Sequence, residues 1–449
     1  MSTIPTVPMI RFLMNARSIV KNPLPFHHKN FEAKGDTFRL KLGLNQSVVF
    51  SRDPGFAIYA LQKNQRNYHK SDIQTKQLAK YVGKGLLTSE EQLWKTQRKL
   101  IQPAFHKKTL ATLLEKVQSA IHTELDGITP DTPIDIFPIF NDLAFQTVVK
   151  ALFSTHIDRK KIDRLQHITE AAQQMLVKEL RQPYKRWYFK YGGPIKKHLE
   201  LAQEGREILR EFINERKASG QRYGDLLDML LEARYDDGTA MSEQQLIDEI
   251  LILFVAGHET TSNALTFTAE LLARHPEVQQ RMFDAYTTYA KDQKESPSSD
   301  DQIMQLIKSM TYIKQVVEEA MRLYPPAYFI DRVNYESDSY NDMEIDKGSN
   351  LLFSVIEIHK HKDYWENPLA FDPDRFADNA GMKHPAYFPF GAGPRMCIGN
   401  NFAMYEMILT LCELIKRYQI VAKTSPIQIK PMITLKPKNA VLTFVARTP

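Results

Sequence analysis

"FPFGAGPRMCIGNNFAMYEM", residues 388–407, places one of the chain's only two cysteines at the end of a glycine-rich loop and at the start of a helix. Glycines at 391, 393 and 399 permit tight turns around Cys397. Met404, Ile408, Leu411, Cys412 and Ile415 then follow at helical spacing. Cys397 therefore stands at a helix N-terminus, where backbone N–H groups and the helix dipole favour a thiolate over a thiol. Gly391-Ala392-Gly393 opens a dinucleotide-type G-x-G-x-x-G pattern, but position 396 is Met and no βαβ unit surrounds it. A thiolate acts as nucleophile or as metal ligand. No histidine flanks the loop to serve as a base, and Cys412 lies on the apolar face of the next helix, where it reads as packing.

Working outward, the 449 residues are 43% hydrophobic and 25% charged, enough to bury a large core. No Gly/Ser linker, repeat or low-complexity tract divides them, so a single large domain is expected. Two cysteines exclude a disulfide framework and suit a reducing, cytosolic setting. The opening MSTIPTVPMIRFLMNARSIVKN is broken by prolines, arginines and polar residues, and the longest apolar stretch covers only residues 250–256. Neither a signal peptide nor a membrane anchor is expected. The net charge of +6 reads as a mild lysine excess. No basic run interleaved with aromatics is picked out, and no nucleic-acid partner is expected.

The chain reads as mainly α with a small β-rich part. Short β-like runs at 38–42 and 47–50 flank the turn-like Gly43-Leu44-Asn45; strand signals return at 348–358 and 433–445, suggesting one small sheet built from both ends of the chain. Between them the longest helix starts at Ser242, where Ser242-x-x-Gln245 forms a capping box, and runs to Arg274 before Pro276. About 32 residues at about 1.5 Å each span nearly 50 Å. Its middle, IDEILILFVAGHETTSNAL, is apolar almost all round, so the helix is buried on all sides.

Inside it lies AGHETT, residues 256–261. His258-Glu259 begins a zinc-type H-E-x-x-H pattern, but the fifth position is Ser262, so the second ligand is missing. What remains is a small pair, Ala256-Gly257, which admits a bulky flat group, followed by Glu259 and Thr260, which can relay protons. A helix kink with locally satisfied hydroxyls is the alternative. A second helix, TYIKQVVEEAMRLYPP, carries Ile313, Val316, Val317, Ala320 and Met321 on one face and ends at Pro325-Pro326. Glu319 and Arg322 share a face of it, and Arg375 in FDPDRF is available to complete a carboxylate held between two guanidinium forks. A single axial thiolate on haem iron needs no second sulfur, and that reading is common to the loop and both helices.

Phe390-Gly391-Ala392-Gly393-Pro394-Arg395-Met396-Cys397-Ile398-Gly399 resembles the haem-binding loop of the cytochromes P450. AGHETT resembles the family's oxygen-activating motif, Glu319-x-x-Arg322 its structural ion pair, and Phe371-x-Pro373-x-Arg375-Phe376 the third partner of that pair. Trp94 and Arg98, spaced W-x-x-x-R, resemble the helix that meets the haem propionates. The matches run in family order from about residue 36 to 445.

The resemblance implies a single-domain cytochrome P450 fold over 1–449: a lead-in at 1–35, a small sheet from 36–60 and 347–358, a long central helix at 242–275, and the haem loop with its helix at 389–418. It implies a soluble, bacterial-type haem-thiolate monooxygenase using haem b and O2. Cys397 would be the proximal ligand. Thr260 and Glu259 would deliver protons, so that one oxygen atom leaves as water. Trp94, Arg98, Arg332 and Arg395 would pair the propionates, with Ala256, Gly257, Phe390, Gly391 and Gly399 also beside the cofactor. Leu253, Phe254, Ala327, Tyr328, Phe329 and Ile433 would line the pocket of a small organic substrate undergoing hydroxylation or oxidative O-demethylation. Electrons would come from NAD(P)H only indirectly, through a reductase and a soluble ferredoxin or flavodoxin, docking where Lys95, Lys99, Lys107, Lys108 and Arg395 supply positive charge. The alternatives are a peroxide-driven peroxygenase and a non-catalytic gas-binding protein. The NQS at Asn45 reads as a chance glycosylation match in a cytoplasmic chain.

Overall fold

The computed structural model describes residues 4–43, 46–154, 158–293, 298–422 and 425–447. Leu44 and Asn45, and with them the predicted turn and the NQS match, lie outside the described residues. Seven helices carry or support the candidate functional residues: α1 (Glu91–Ile101), α2 (Phe137–Phe153), α3 (Arg159–Arg181), α4 (Pro194–Ser219), α5 (Glu243–Leu272), α6 (Thr311–Leu323) and α7 (Asn400–Arg417). Among the described residues no helix is long and apolar enough to cross a membrane.

The chain forms two compact units. The first comprises residues up to Ile73, Glu318–Cys397 and Ile429–Lys438; the second comprises Gln74–Val317, Ile398–Gln428 and the residues from Asn439. In the first unit a six-stranded sheet is built from β1 (Thr6–Val7), β2 (Thr37–Lys41), β3 (Ser47–Ser51), β4 (Tyr68–His69), β5 (Phe329–Asn334) and β6 (Asn350–Ser354), in the order β1-β2-β3-β6-β5-β4. Phe38 pairs Phe50 across the antiparallel β2–β3 ladder, and Val48 pairs Asn350 across the parallel β3–β6 ladder. Phe38 and Phe50 turn inward with Phe26 and Phe31, the alternation that a half-buried strand requires.

The predicted strand limits give way where caps intervene. Asp53 accepts from the N–H groups of Gly55 and Phe56, and Pro54 is pre-set for the first helical position, so Pro54–Ile58 is helical inside the predicted 36–60 sheet segment. Val355–Ile358 is likewise a helical turn, its β-branched residues placed by burial rather than by strand propensity. The late strands do not join this sheet. Leu435–Pro437 closes a hairpin with Ile429–Pro431 in the first unit, while Val441–Ala446 lies between Tyr418–Ala422 and Pro133–Asp135 in the second.

In the second unit α5 is the expected long helix. Ser242 Oγ caps it by accepting from Gln245 N at 3.2 Å. The other half of the predicted capping box is absent: the Gln245 side chain donates instead to Lys84 O (2.8 Å) and Glu249 Oε1 (3.0 Å). Phe145 of α2 stacks on Phe254 at 5.3 Å and meets His258 edge-on at 5.1 Å, which locks α5 to α2.

Candidate active site

In the first unit the cysteine loop is shaped by its backbone. Gly391 N donates to Phe388 O (3.0 Å), Met396 N to Gly393 O (3.0 Å) and Cys397 N to Phe390 O (2.9 Å). Gly391 and Gly393 take φ of +74° and +71°, and a Cβ on Gly393 would stand 2.0 Å from the Leu61 carbonyl oxygen. Only glycine fits there. The loop thus delivers Cys397 exposed, whereas Cys412 in the second unit is buried and its thiol is pushed up by burial. The two sulfurs therefore differ chemically: one is accessible at a helix entry, the other is a packed apolar group.

The loop is anchored by a residue that sequence reasoning missed. Phe388 N donates to His359 Nε2 at 3.1 Å, and burial pushes the His359 imidazole down to about 3, so the ring is a neutral acceptor. His359 O in turn accepts from Arg322 at 2.9 Å. Arg322 also donates to the carbonyls of Pro368 (2.7 Å) and Ala370 (2.9 Å) and grips both oxygens of Glu319, at 2.7 and 2.8 Å. Arg375 Nε stands 3.5 Å from Glu319 Oε1, and Asp372 N donates to the same oxygen at 2.9 Å. Burial pushes the Glu319 carboxyl up, against the pull of both guanidiniums. Glu319, Arg322 and Arg375 are therefore brought together, and the ion pair is wholly buried.

Tyr328 Oη donates to Met432 O (2.7 Å) and Leu435 N to Pro326 O (2.9 Å), which ties Ala327, Tyr328 and Phe329 to the hairpin bearing Ile433. Ala327 and Ile433 are exposed; Phe329 is half-buried against His27 (5.4 Å) and Phe50 (6.1 Å), on the sheet core. Arg332 is buried on β5, and Arg395 ends the single turn Gly393–Arg395.

In the second unit, between Leu246 and Leu272, only Leu253, Ala256, Gly257 and Thr260 escape full burial. Their spacing of three, four and seven puts them on one face, a strip of small side chains along an otherwise enclosed helix. Thr260 Oγ1 donates to Ala256 O at 2.7 Å on this strip. Phe254 does not share it. Its side chain is completely buried between Phe145 and Phe153, so it belongs to the core and not to a ligand-facing surface. A helix apolar all round hides which stripe is open.

Glu259 is 1% exposed and faces the side-chain amide of Gln173 on α3, which donates to Oε1 at 3.2 Å once the amide is turned so that its nitrogen meets the carboxyl. Trp94 is buried on α1, and Arg98, one turn later, donates to Gln102 Oε1 at 3.2 Å. Of the predicted docking lysines, Lys95, Lys107 and Lys108 are exposed, but Lys99 is held by Asp236 at 2.6 Å, which offsets its charge. On α7, nine residues beyond Cys397, Glu406 is buried, with Oε1 2.6 Å from Thr147 Oγ1. The Thr147 hydroxyl is within donating distance of both Glu406 Oε1 and Ala144 O (2.9 Å), and burial pushes the Glu406 carboxyl up to about 8 against that hydrogen bond.

The first unit thus carries an accessible thiol in a glycine-shaped loop, with Arg332 on β5 and Arg395 on the loop; the second carries an open strip on α5, with Trp94 and Arg98 on α1. Comparison with known proteins agrees with the resemblance seen in the sequence. The family model described as Cytochrome P450 matches residues 4–444. Cytochrome P450 4d2 of Drosophila melanogaster is 30% identical, over 88% of this chain and 83% of its own length. Cyclooctat-9-en-7-ol 5-monooxygenase of Streptomyces melanosporofaciens is 27% identical (92% and 88%), and pentalenene oxygenase of Streptomyces avermitilis 25% (97% and 95%). In fold, the chain is similar to the crystal structure of the cytochrome P450DA heme domain, with a TM-score of 0.85 and 22% identity over 100% of this chain and 98% of that one.

Proposed function

The chain belongs to the cytochrome P450 family of haem monooxygenases, and from that premise we propose that Cys397 is the haem ligand of an enzyme that inserts one atom of O2 into a small apolar substrate. The observation that carries the assignment is the loop itself: two left-handed glycines, one of them intolerant of any side chain, deliver an exposed thiol to the start of α7. Bound haem supplies the activation of dioxygen. The chain's own residues do the rest.

Cys397 Sγ holds the iron, and Trp94, Arg98, Arg332 and Arg395 hold the propionates, since buried carboxylates need hydrogen-bonding or cationic partners. Ala256 and Gly257 leave room for the flat face. Thr260 Oγ1 hands a proton to the open side of α5, with Glu259 behind it as the source. Leu253, Ala327, Tyr328, Phe329 and Ile433 shape the substrate side, a mostly apolar set that suits a terpenoid, lipid or aromatic better than a polar metabolite. The two Streptomyces relatives are named for oxidations of cyclooctat-9-en-7-ol and pentalenene, an alkenol and an alkene by name, which favours a substrate with a hydrocarbon framework.

Electrons come from a separate ferredoxin or flavodoxin with its reductase, steered by Lys95, Lys107 and Lys108 through an attraction screened within about 8 Å at physiological salt. Turnover of a terpenoid panel under 18O2 with a reconstituted ferredoxin pair tests the reading. Product carrying one labelled atom, in a yield that falls as salt rises, is expected. Label-free product, or turnover supported by peroxide alone at the same rate, would contradict it.

A further inference from the structure

Eleven and ten residues before the AGHETT acid, α5 carries two adjacent acidic side chains, Asp248 and Glu249, both buried. Neither is among the residues assigned above to the haem or the substrate. Each instead takes hold of a loop backbone: Lys84 N donates to Asp248 Oδ2 at 2.8 Å, and Leu86 N donates to Glu249 Oε2 at 2.9 Å. Their remaining lone pairs are also used. Gln244 Nε2 donates to Asp248 Oδ1 at 2.8 Å, Arg206 of α4 stands 3.8 Å from the same oxygen, and Gln245 Nε2 donates to both Glu249 Oε1 and Lys84 O.

The loop is made to fit this grip. Gly83 has φ +83°, and a Cβ on it would fall 2.1 Å from the Asp248 carboxyl; a Cβ on Gly85 would fall 2.5 Å from Glu249 Oε2. Thr88 knots the far side, donating from Oγ1 to Gly83 O (2.7 Å) and accepting from Gly85 N (3.1 Å). Two residues after this knot comes α1, which bears Trp94 and Arg98. Register adds the functional link: Glu249 precedes Thr260 by eleven residues, three helical turns, so it lies on the face shared by Leu253, Ala256 and Thr260.

We infer that Asp248 and Glu249 are positioning residues that clasp the Gly83–Ser89 loop to the open face of α5 and so fix where α1 begins. One helix then holds both the proton-relay residues and, through two carboxylates, the start of the helix bearing Trp94 and Arg98. The functional half of this inference rests on the haem reading; the clasp does not. Opening the loop would strand two buried carboxylates, so the loop stays shut.

The experiment uses the full chain, with Glu249→Ala, Glu249→Gln and Gly85→Ala, and two readouts: amide hydrogen exchange at Lys84 and Leu86, and the rate of haem loss to excess apomyoglobin. Losing the Leu86 hydrogen bond predicts roughly tenfold faster exchange at Leu86 and roughly tenfold faster haem loss in Glu249→Ala. Glu249→Gln keeps an acceptor oxygen for Leu86 N but loses the one that Gln245 uses, so it falls between wild type and Glu249→Ala in both. Gly85→Ala, whose backbone is not strained, reproduces Glu249→Ala by forcing the carboxylate away, and the double variant is no worse than either single. Unchanged Leu86 exchange in Glu249→Ala and in Gly85→Ala would overturn the clasp. Fast Leu86 exchange with wild-type haem loss would keep the clasp and overturn its positioning role. A wild-type chain that takes up no haem would refute the haem reading alone, since the exchange readout still decides the clasp.

Discussion

Gly393 shows how much can depend on a missing methyl group. Its φ of +71° and the Leu61 carbonyl 2.0 Å from any Cβ make Gly393→Ala doubly unfavourable, by strain and by collision with backbone. The variant should lose on the order of 1–3 kcal/mol and most of its haem content, measured by denaturant unfolding and by absorbance; Gly391→Ala, with the same kind of φ but open space, should lose less. Glu259 makes a different residue-scale point. Its partner Gln173 lies 86 positions away, and nothing in AGHETT announces it. Gln173→Leu would leave a buried carboxylate short of a donor at a cost of about 1–3 kcal/mol. Product formed per electron should fall while the haem spectrum stays constant; unchanged coupling would remove Gln173 from the relay. The sequence pointed to Cys397, Glu259 and Thr260 because each breaks a local rule: a thiol in a glycine loop, and polar groups in an apolar helix. It misplaced Phe254, which obeys the rule everywhere around it.

At the scale of elements, the buried Glu319–Arg322 pair does more than its i,i+3 spacing suggested. Arg322 gathers the carbonyls of His359, Pro368 and Ala370, and His359 then receives Phe388 at the entry to the cysteine loop. The last turns of α6 are thereby tied to the loop through two side chains. Removing Glu319 leaves the Arg322 charge buried without a carboxylate, and removing Arg322 leaves buried Glu319 only Arg375 at 3.5 Å and the Asp372 N–H, so Glu319→Ala and Arg322→Ala should each cost about 3–5 kcal/mol and yield little haem-loaded protein. Normal unfolding midpoints in both variants would contradict this. The spacing made the pair legible; the carbonyls did not show, because loop backbone has no sequence signature. Strand limits failed for a similar reason: Pro54–Ile58 and Val355–Ile358 look like strand continuations until a cap or a buried environment turns them. The capping box at Ser242 was half legible, since Gln245 was drawn away by Lys84 O, 161 residues earlier.

For the molecule as a whole, buried titratable groups set opposing pH limits. Burial pushes Glu406 up to about 8 and Glu270 up to about 7, against an ordinary 4.5. Between those values the folded chain holds more protons than the unfolded one, so stability is lost as pH rises from about 4.5 towards 8. His27 and His359, pushed down to about 3, act in the opposite sense and remove stability as pH falls below about 6.5. Glu406→Gln should therefore raise the unfolding midpoint at pH 8 relative to pH 5 and flatten the upper limb of the profile; an unchanged slope would mean that Glu406 is ionised in the fold. One surface feature was passed over in sequence: Tyr184, Trp187, Tyr188 and Tyr191 are all exposed, with Lys185, Arg186 and Lys190 between them, a basic run interleaved with aromatics after all.

The central claim is that one of two cysteines ligates haem, and the reduced carbon monoxide complex tests it most directly. Cys397 is exposed in a shaped loop, and Cys412 is buried with its thiol pushed up. Cys397→Ser should abolish the thiolate-type Soret band of that complex while Cys412→Ser leaves it intact. A thiolate spectrum that survives Cys397→Ser, or is lost in Cys412→Ser, would contradict the account.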